Sequence, residues 1–393
     1  MKTRVKAVRA YVAETRSGAD YHAQQGGHWI ADSIIANPMS VHADYKARRT
    51  SWGIDALGTA VVEIEADSGV IGIGATTGGI PVCYLIEKHL KRFVLGRDPR
   101  DTESIWDQMF RASLYYGRKG LAIHAISAID LALWDLLGRL RGEPVYALVG
   151  GKTKDRLPTY ATTPRPDLAK ELGFFGAKLP LPFGPVDGKA GLEQNRALAE
   201  RARDQVGKSF DLMFDCYMAL DVPYTIELCR AIEPYQFRWV EEFLPPDDYD
   251  GYAQVRAAVR STRLTTGEHE YTRFGFRELL RRHCADILQP DLMWCGGLSE
   301  ALKIAALAAT EKVEVVPHGS GAYSYHFVLA TSNAPFAEFL VMSPSADRIV
   351  PVLGNLFTGE PLPENGFIAV SERPGFGVDI DRSRVQLSRP FAD

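Results

Sequence analysis

Cysteine is scarce in this chain and follows no recognisable pattern. The five cysteines lie at positions 83, 216, 229, 284 and 295, and none of them forms a Cys-x-x-Cys pair. An odd, unpatterned set in a chain of 393 residues predicts reduced, buried thiols. No motif supports a thiol nucleophile.

The chain also lacks a strong charge of either sign and a long apolar run. Its formal net charge is −4, so there is no excess of basic residues to attract nucleic acid or an anionic membrane. Residues 1–6 have no apolar segment behind them, and no stretch approaches the ~18 apolar residues of a membrane helix. We therefore expect a cytoplasmic protein whose partner is a small molecule.

The length and patterning of the chain predict three segments. At 393 residues it exceeds the ~250 at which one hydrophobic core stops growing. Residues 1–150 are predicted to form an α+β domain, with a polar loop over about 15–51, a hairpin and an amphipathic helix over 122–140. Residues 151–343 alternate strands with helices. Residues 344–393, rich in Pro and Gly, are expected to pack back on the N-terminal domain.

The alternating segment predicts a (β/α)8 barrel of the TIM type. Its candidate strands are eight short β-rich runs, at 157–161, 176–179, 210–214, 237–240, 263–266, 285–288, 313–316 and 338–341. Eight strand–helix alternations favour a closed barrel over its main competitor, a Rossmann-like open sheet. No Gly-x-Gly-x-x-Gly opens a helix after any of these strands, and Gly72-Ile73-Gly74 falls inside the predicted hairpin. A dinucleotide site therefore lacks its structural context.

Three acids follow the ends of consecutive predicted strands. Asp215, Glu241 and Glu268 are separated by 26 and 27 residues, close to the roughly 31 of one βα unit in a ~250-residue barrel. They would meet side by side, where two such charges ~4 Å apart repel by about 4 kcal/mol at an effective dielectric of 20. Hard oxygen ligands of this kind fit Mg²⁺. Any one acid alone is better explained as a surface or capping residue, but the regular series favours a metal site.

The series of polar residues continues around the predicted barrel. Asp291 follows the sixth strand and His318 the seventh, so the carboxylate could fix the imidazole tautomer and make His318 a general base facing the metal. Glu338 stands at the eighth strand, where an ordinary buried or capping acid is a serious alternative. His269, next to Glu268, could contact a substrate hydroxyl or only support the ligands, and the sequence does not separate these roles.

The motif residues resemble those of the enolase superfamily, and the His–Asp pair resembles its mandelate racemase subgroup. Members of the superfamily combine a Lys or His base with Mg²⁺. The similarity to acid-sugar dehydratases of this subgroup runs along nearly the whole chain, in stretches that include 28–30, 37–40, 57–59, 130–135, 165–171, 294–298 and 317–320. The resemblance is therefore specific rather than a match to one motif.

The resemblance implies a role for each position. Asp215, Glu241 and Glu268 would bind the metal, His318 and Asp291 would form the catalytic dyad, and Glu338 would lie near the substrate carboxylate. His28 and Arg49 match residues that reach over the barrel mouth to bind substrate; without the family both would be interpreted as solvated loop residues. A homo-oligomer, such as an octamer, is also implied.

One departure from the superfamily bears on the reaction. Many relatives carry Lys-x-Lys on the second strand, whereas Lys178 is followed by Leu179 and Pro180. A racemase needs a base on each face of its substrate, so a single histidine favours dehydration. The implied substrate is a sugar acid such as L-rhamnonate, with L-lyxonate or L-mannonate as alternatives. A catalytically silent binding barrel is a rival, whereas a metal-dependent hydrolase is disfavoured because the chain has no His-x-His pair.

Overall fold

The computed structural model describes residues 3–15, 27–45 and 57–392, and two main sheets organise them. The strands are β1 (Val5–Thr15), β2 (Thr59–Ala66), β3 (Ile71–Thr77), β4 (Leu157–Thr162), β5 (Gly176–Pro180), β6 (Asp211–Asp215), β7 (Trp239–Glu241), β8 (Arg263–Thr266), β9 (Ile287–Leu288), β10 (Glu314–Val315), β11 (Ala337–Leu340), β12 (Phe357–Thr358), β13 (Phe367–Ile368), β14 (Asp379–Ile380) and β15 (Val385–Ser388). The α-helices are α1 (Trp29–Asp32), α2 (Gly79–Lys88), α3 (Thr102–Ser113), α4 (Leu121–Arg141), α5 (Val145–Leu148), α6 (Pro166–Glu171), α7 (Gly188–Val206), α8 (Val222–Ile232), α9 (Tyr249–Ala258), α10 (Thr272–Arg281), α11 (Gly297–Thr310) and α12 (Ala322–Ala330).

The first sheet is antiparallel and has the order β15-β1-β2-β3. The predicted hairpin is β2 and β3, and α4 packs across it. A Cβ atom on Gly72 would lie 2.2 Å from the carbonyl oxygen of Ala132, and one on Gly74 would lie 2.0 Å from that of Ala128. These glycines therefore serve close packing of the hairpin on α4, not a phosphate. We call β1 to β3 with α2, α3 and α4 the N-terminal layer.

Helix α4 is buried on nearly every side, unlike the one-faced amphipathic helix that the sequence predicts. It lies between the hairpin and helix α11, so its polar residues Ser127, Asp130 and Asp135 are buried along with the apolar ones. By length and composition it is the one helix of the described ranges that could cross a membrane, but 89% of its apolar window is buried inside the protein. Its hydropathy is that of a core helix.

The second sheet is the barrel. Eight parallel strands pair in the order β10-β9-β8-β7-β6-β5-β4-β11, so neighbours in the chain are neighbours in space and the last strand returns to the first. This singly wound order confirms the barrel and excludes the doubly wound Rossmann arrangement. All eight predicted strands are present, although β9 and β10 are only two residues long. Between β10 and β11 the backbone N–H of Gly319 donates to the Glu338 carboxylate at 2.8 Å.

The tail after β11 contacts both sheets. Strand β15 adds to the edge of the antiparallel sheet by pairing with β1, and β13 pairs with the start of β4. Buried Asp135 of α4 accepts hydrogen bonds from the backbone of Ile73 and Phe376, which joins the hairpin, the helix and the tail. The five cysteines are all buried and free.

Candidate active site

Three carboxylates meet at the C-terminal ends of neighbouring barrel strands. Asp215 and Glu241 are the last residues of β6 and β7, and Glu268 follows β8 by two residues. One oxygen atom from each lies within 4.8 Å of the other two, and all three side chains are buried. The structure thus brings together the acids whose spacing in the sequence singled them out.

Ionisation of these buried carboxylates is unfavourable unless further positive charge lies beside them. Burial, followed by the charges of the neighbouring acids, raises the pKa of Glu241 to about 8 even though Lys178 acts in the opposite direction. Burial likewise raises the pKa of Glu268 to about 7. Converging hard oxygen ligands that ionise reluctantly on their own fit a divalent cation such as Mg²⁺.

Lys178 on β5 lies at the centre of the acids, a position that sequence reasoning missed. Its Nζ is 3.2 Å from Asp215 Oδ2 and 2.9 Å from Glu338 Oε1, and it also forms an ion pair with Glu241. The side chain is fully buried, and these neighbouring charges outweigh burial and raise its pKa. A lysine inside an otherwise apolar strand was the available signal, because such residues are almost never buried without a partner.

Glu338 on β11 is fixed from several sides. Its Oε1 accepts from Thr162 and from Lys178, and its Oε2 accepts from the backbone of Gly319. Burial acts to raise the pKa of Glu338, but the charges of Lys178 and His318 together outweigh it, so the pKa lies below its ordinary value. Glu338 is therefore an ionised carboxylate that orients Lys178 beside the three acids.

His318 and Asp291 form a close pair. Nδ1 of His318 lies 2.6 Å from Asp291 Oδ2, while Oδ1 of the same carboxylate accepts from the backbone of Met293 at 2.6 Å and from the hydroxyl of Ser320 at 2.9 Å. Because Nδ1 is held in this way, Nε2 faces the acids, 3.5 Å from Glu268 Oε1. The geometry is that of an oriented acid–base imidazole.

The charge state of His318 depends on its neighbours. Burial lowers its pKa, but the charge of Glu268 and the hydrogen bond to Asp291 raise it well above the ordinary value. A cation bound to Glu268 would offset that charge and so favour the neutral, basic imidazole.

His269 forms a second imidazole–carboxylate pair. Its Nδ1 lies 2.6 Å from Glu242 Oε2, its backbone N–H donates to Glu242 Oε1 at 3.0 Å, and its Nε2 is 3.8 Å from Glu268 Oε1. Burial lowers the pKa of His269, but Glu242 and Glu268 raise it to about 9. Glu242, Glu268 and His269 could also hold a cation. The set of Asp215, Glu241 and Glu268 offers only carboxylate oxygens, which Mg²⁺ prefers to an imidazole nitrogen, so it fits better.

His28 lies in a segment that crosses the barrel mouth. The backbone of Trp29 donates to Pro344 beyond β11, and that of Ala36 donates to Leu181 beyond β5, so the segment spans the ends of β11, β4 and β5. His28 is only 6% exposed, not a solvated loop residue. One ring nitrogen caps α1 by accepting from Ile30, and the other is 3.0 Å from the Met342 carbonyl. Arg49 lies outside the described residues.

Two family profiles match the chain. Residues 168–384 match the profile described as enolase C-terminal domain-like. Residues 40–150 match the mandelate racemase and muconate lactonizing enzyme N-terminal domain.

Individual proteins of the same kind are similar over nearly their full length. The L-rhamnonate dehydratase of Saccharopolyspora erythraea is 53% identical over 389 residues, 99% of each chain. The crystal structure of rhamnonate dehydratase from Gibberella zeae complexed with Mg is 51% identical, with a TM-score of 0.93 over 97% of this chain and 94% of that one. The 3,6-anhydro-D-galactonate cycloisomerase of Zobellia galactanivorans is 30% identical, with a TM-score of 0.76 over 97% of both chains.

Proposed function

The chain belongs to the mandelate racemase and muconate lactonizing enzyme family of the enolases, and on that premise we propose that it is a Mg²⁺-dependent dehydratase of L-rhamnonate. The product is 2-keto-3-deoxy-L-rhamnonate. The observation that carries the proposal is the His318–Asp291 pair, whose open Nε2 faces the three buried acids.

Asp215, Glu241 and Glu268 would hold the cation. When bound, Mg²⁺ supplies positive charge that stabilises the negative charge developing on the substrate carboxylate, which makes the C2 proton more acidic. Lys178, which neutralises Asp215 and Glu241 in the structure, is then available to pair with the same substrate carboxylate. Glu338, which pairs with that ammonium, would then lie near the substrate carboxylate, as the family resemblance implies.

His318 carries the proton transfers. Neutral Nε2 removes the proton from C2, which leaves an enediolate, and Asp291 stabilises the imidazolium through Nδ1. The imidazolium then gives the proton to the departing 3-hydroxyl, so the C3–O bond breaks and water leaves. The resulting enol tautomerises to the 2-keto-3-deoxy acid. One residue acts first as base and then as acid, so no second base is required.

The remaining polar groups would recognise the sugar hydroxyls. His269, oriented by Glu242, presents Nε2 on the same side of Glu268 as the catalytic histidine. His28 lies in the segment that crosses the mouth. The family resemblance implies that Arg49 also binds substrate, and an Arg side chain offers several fixed donors for oxygen acceptors. We assign these three residues to substrate binding.

A screen of aldonic acids tests the proposal. The purified protein with Mg²⁺ would be incubated with L-rhamnonate, L-mannonate, L-lyxonate and other stereoisomers, and 2-keto-3-deoxy products would be measured. We expect the highest kcat/KM for L-rhamnonate and no product after chelation of the metal. A higher value for L-lyxonate or L-mannonate would reassign the substrate within the same reaction. Ligand binding without any turnover would identify a silent barrel instead.

The proposal includes a cytoplasmic location and a homo-oligomeric state. Self-association is supported by a surface patch of large apolar side chains, Leu114, Tyr115, Tyr116 and Phe274, all at least 42% exposed. Such patches often mark protein contacts. Light scattering coupled to size-exclusion chromatography measures the assembly, and a monomer at micromolar concentration would contradict this part.

A further inference from the structure

One tryptophan stands against both active-site imidazoles. The ring of Trp294, in the turn between β9 and α11, has its centroid 5.4 Å from that of His318 and 5.4 Å from that of His269. A third ring, His124 of α4, stacks on it at 5.7 Å with an interplanar angle of 4°. Trp294 is only 7% exposed, so it is part of the wall of the site and not a surface residue.

The two imidazoles need a packing contact of this kind to keep their orientation. Each is fastened by one short contact from Nδ1 to a carboxylate, Asp291 for His318 and Glu242 for His269. A single hydrogen bond leaves the ring free to tilt about that bond, which would swing Nε2 away from Glu268. Packing an indole against both rings removes this freedom, because aromatic pairs at such distances have preferred geometries.

The turn that carries Trp294 is itself held by the N-terminal layer. The Thr76 hydroxyl donates to the carbonyl of Met293 at 2.7 Å, the Trp106 indole N–H donates to the carbonyl of Gly296 at 2.8 Å, and the Gly296 N–H donates to Ser127 at 2.9 Å. These contacts come from β3, α3 and α4. The position of the indole therefore depends on residues more than 150 positions earlier in the chain.

Asp130 of α4 secures the far end of the same turn. Its carboxylate accepts from both the backbone and the hydroxyl of Ser299. Gly297 has φ +82°, and a Cβ there would lie 2.4 Å from the Asp130 carboxylate, so only glycine permits this approach. The Gly-Gly pair after Cys295 thus lets the N-terminal layer contact the turn closely.

His124 is the residue of the N-terminal layer that stacks directly on the indole. Its Nδ1 lies 3.2 Å from the Thr77 hydroxyl and its Nε2 lies 3.2 Å from the Tyr271 hydroxyl, so the ring is fixed at both nitrogens. Burial lowers its pKa to about 4, which keeps it neutral. His124 is therefore a fixed, uncharged ring that packs against Trp294.

From these contacts we infer that Trp294 is a positioning residue for His318 and His269, and that the N-terminal layer holds both imidazoles through it. The inference rests on the proposed dehydratase function. It adds that the layer takes part in proton transfer by fixing the base, in addition to covering the mouth. Trp294 itself exchanges no proton with the substrate.

Three variants test the inference on the full-length, Mg²⁺-loaded protein. Trp294→Leu should lower kcat about 100-fold, since small misplacements of reacting groups cost that much, while KM and Mg²⁺ affinity measured by calorimetry stay within about threefold. Trp294→Phe keeps an aromatic wall and should recover most of the loss. His124→Leu should lower kcat about tenfold by loosening the indole.

A matched control separates positioning from general loss of core packing. Phe237→Leu removes a buried ring stacked on Phe214 at 4.4 Å and away from the histidines, so it should lower the Tm without changing kcat of the folded protein. Crystal structures of the Trp294→Leu and Trp294→Phe variants supply a readout that needs no turnover. The imidazoles should be rotated away from Glu268 in the first and held in place in the second.

The outcomes are separable from those of the proposed function. Wild-type protein that dehydrates no aldonate would refute the function, and the ring orientations in the two crystal structures would still decide the inference. Unrotated imidazoles in the Trp294→Leu variant, an unchanged kcat, or equal losses for Leu and Phe would overturn it. A rise in KM with kcat preserved would also overturn the inference, because Trp294 would then contribute to substrate binding and not to the position of the imidazoles.

Discussion

The mouth of the barrel has two sides that handle charge differently. On one side, which we call the lysine arc, Lys178 binds Asp215, Glu241 and Glu338 directly, with the two longer contacts at 2.9 and 3.2 Å. On the other side, the histidine arc, Nδ1 of His269 and Nδ1 of His318 each lie 2.6 Å from a carboxylate oxygen, whereas their Nε2 atoms lie at least 3.5 Å from Glu268.

The two arcs differ in how closely their polar atoms are held by neighbouring groups. In the lysine arc Glu241 also accepts from Trp239 at 3.0 Å and from Gln289 at 2.6 Å, so three donors fix its carboxylate in position. In the histidine arc both Nε2 atoms point toward Glu268, at 3.5 and 3.8 Å. An imidazole that is held in position at Nδ1 can take up or release a proton at Nε2.

The largest expected effect is on the histidine arc. His318→Asn should lower kcat roughly 10⁴-fold, because it removes the group that we propose as both base and acid. The amide can still donate to Asp291, so the Tm and the Mg²⁺ affinity should stay close to those of the wild type. Turnover and calorimetry on the same preparation measure both. Residual turnover within about 100-fold of the wild type would show that the two arcs share the proton transfer.

The next largest effect is on the lysine arc. Lys178→Met should lower kcat about 10² to 10³-fold, as for the loss of one preorganised donor to a developing oxyanion. It should also destabilise the metal-free protein by about 3 to 5 kcal/mol, because buried carboxylates lose their counter-ion. Mg²⁺ should restore part of the Tm but not kcat. Both are measured by melting curves and initial rates.

A matched lysine variant serves as the control for that prediction. Lys6 pairs with Glu65 at 2.8 Å, but its side chain is 63% exposed. Lys6→Met should change neither kcat nor the Tm appreciably, because exposed ion pairs contribute little. Equal effects of the two substitutions would show that the lysine arc is an ordinary ion-pair network.

The fold and the convergence of the three acids could be predicted because both follow from patterns that recur regularly along the chain. Strand–helix alternation gave all eight strands, and the acids recur once per βα unit, as at Asp215, Glu241 and Glu268. The His318–Asp291 pair follows from the same register. In a barrel, residues that recur once per βα unit at the ends of the strands form one ring of side chains.

The supporting residues could not be predicted because their role depends on contacts distant in sequence. In the sequence, Lys178 is informative only through the missing second lysine, and its burial among the acids of three other strands is what makes it part of the site. Trp294 becomes relevant only when α4 and the end of β10 meet in space. Residues 27–45 were expected to be part of a polar loop, yet they contain α1 and bury Trp29 and Ile35.

The two arcs also predict how metal binding depends on pH. The folded pKa values of Glu241 and Glu268, about 8 and about 7, lie above the usual value for a carboxyl. Mg²⁺ must therefore displace protons below those values, and its affinity should rise about tenfold or more per pH unit up to about pH 7. Calorimetric titrations in buffers of different ionisation enthalpy measure the protons released.

The same shifts fix the sign for the metal-free protein. A carboxyl that binds its proton more tightly in the folded than in the unfolded state stabilises the fold fully only below its unfolded pKa of about 4.5. This stability is lost as the pH rises through the folded pKa, so the Tm without metal should fall between about pH 4.5 and pH 8. With saturating Mg²⁺ this slope should flatten. A metal affinity independent of pH would mean that the acids are ionised beforehand and that Lys178 alone compensates their charge.

The smallest expected effect distinguishes the two histidines within their own arc. His269→Gln should raise KM and lower kcat/KM by roughly tenfold, the worth of one hydrogen bond to the substrate, while kcat changes less. The reason is that His269, held by Glu242 and next to Glu268, is proposed to donate to the substrate and not to transfer the C2 proton. If His269→Gln instead lowers kcat as far as His318→Asn does, both imidazoles transfer protons. The reaction would then need two groups, and the single-histidine mechanism would be wrong although the fold, the metal and the substrate stayed the same.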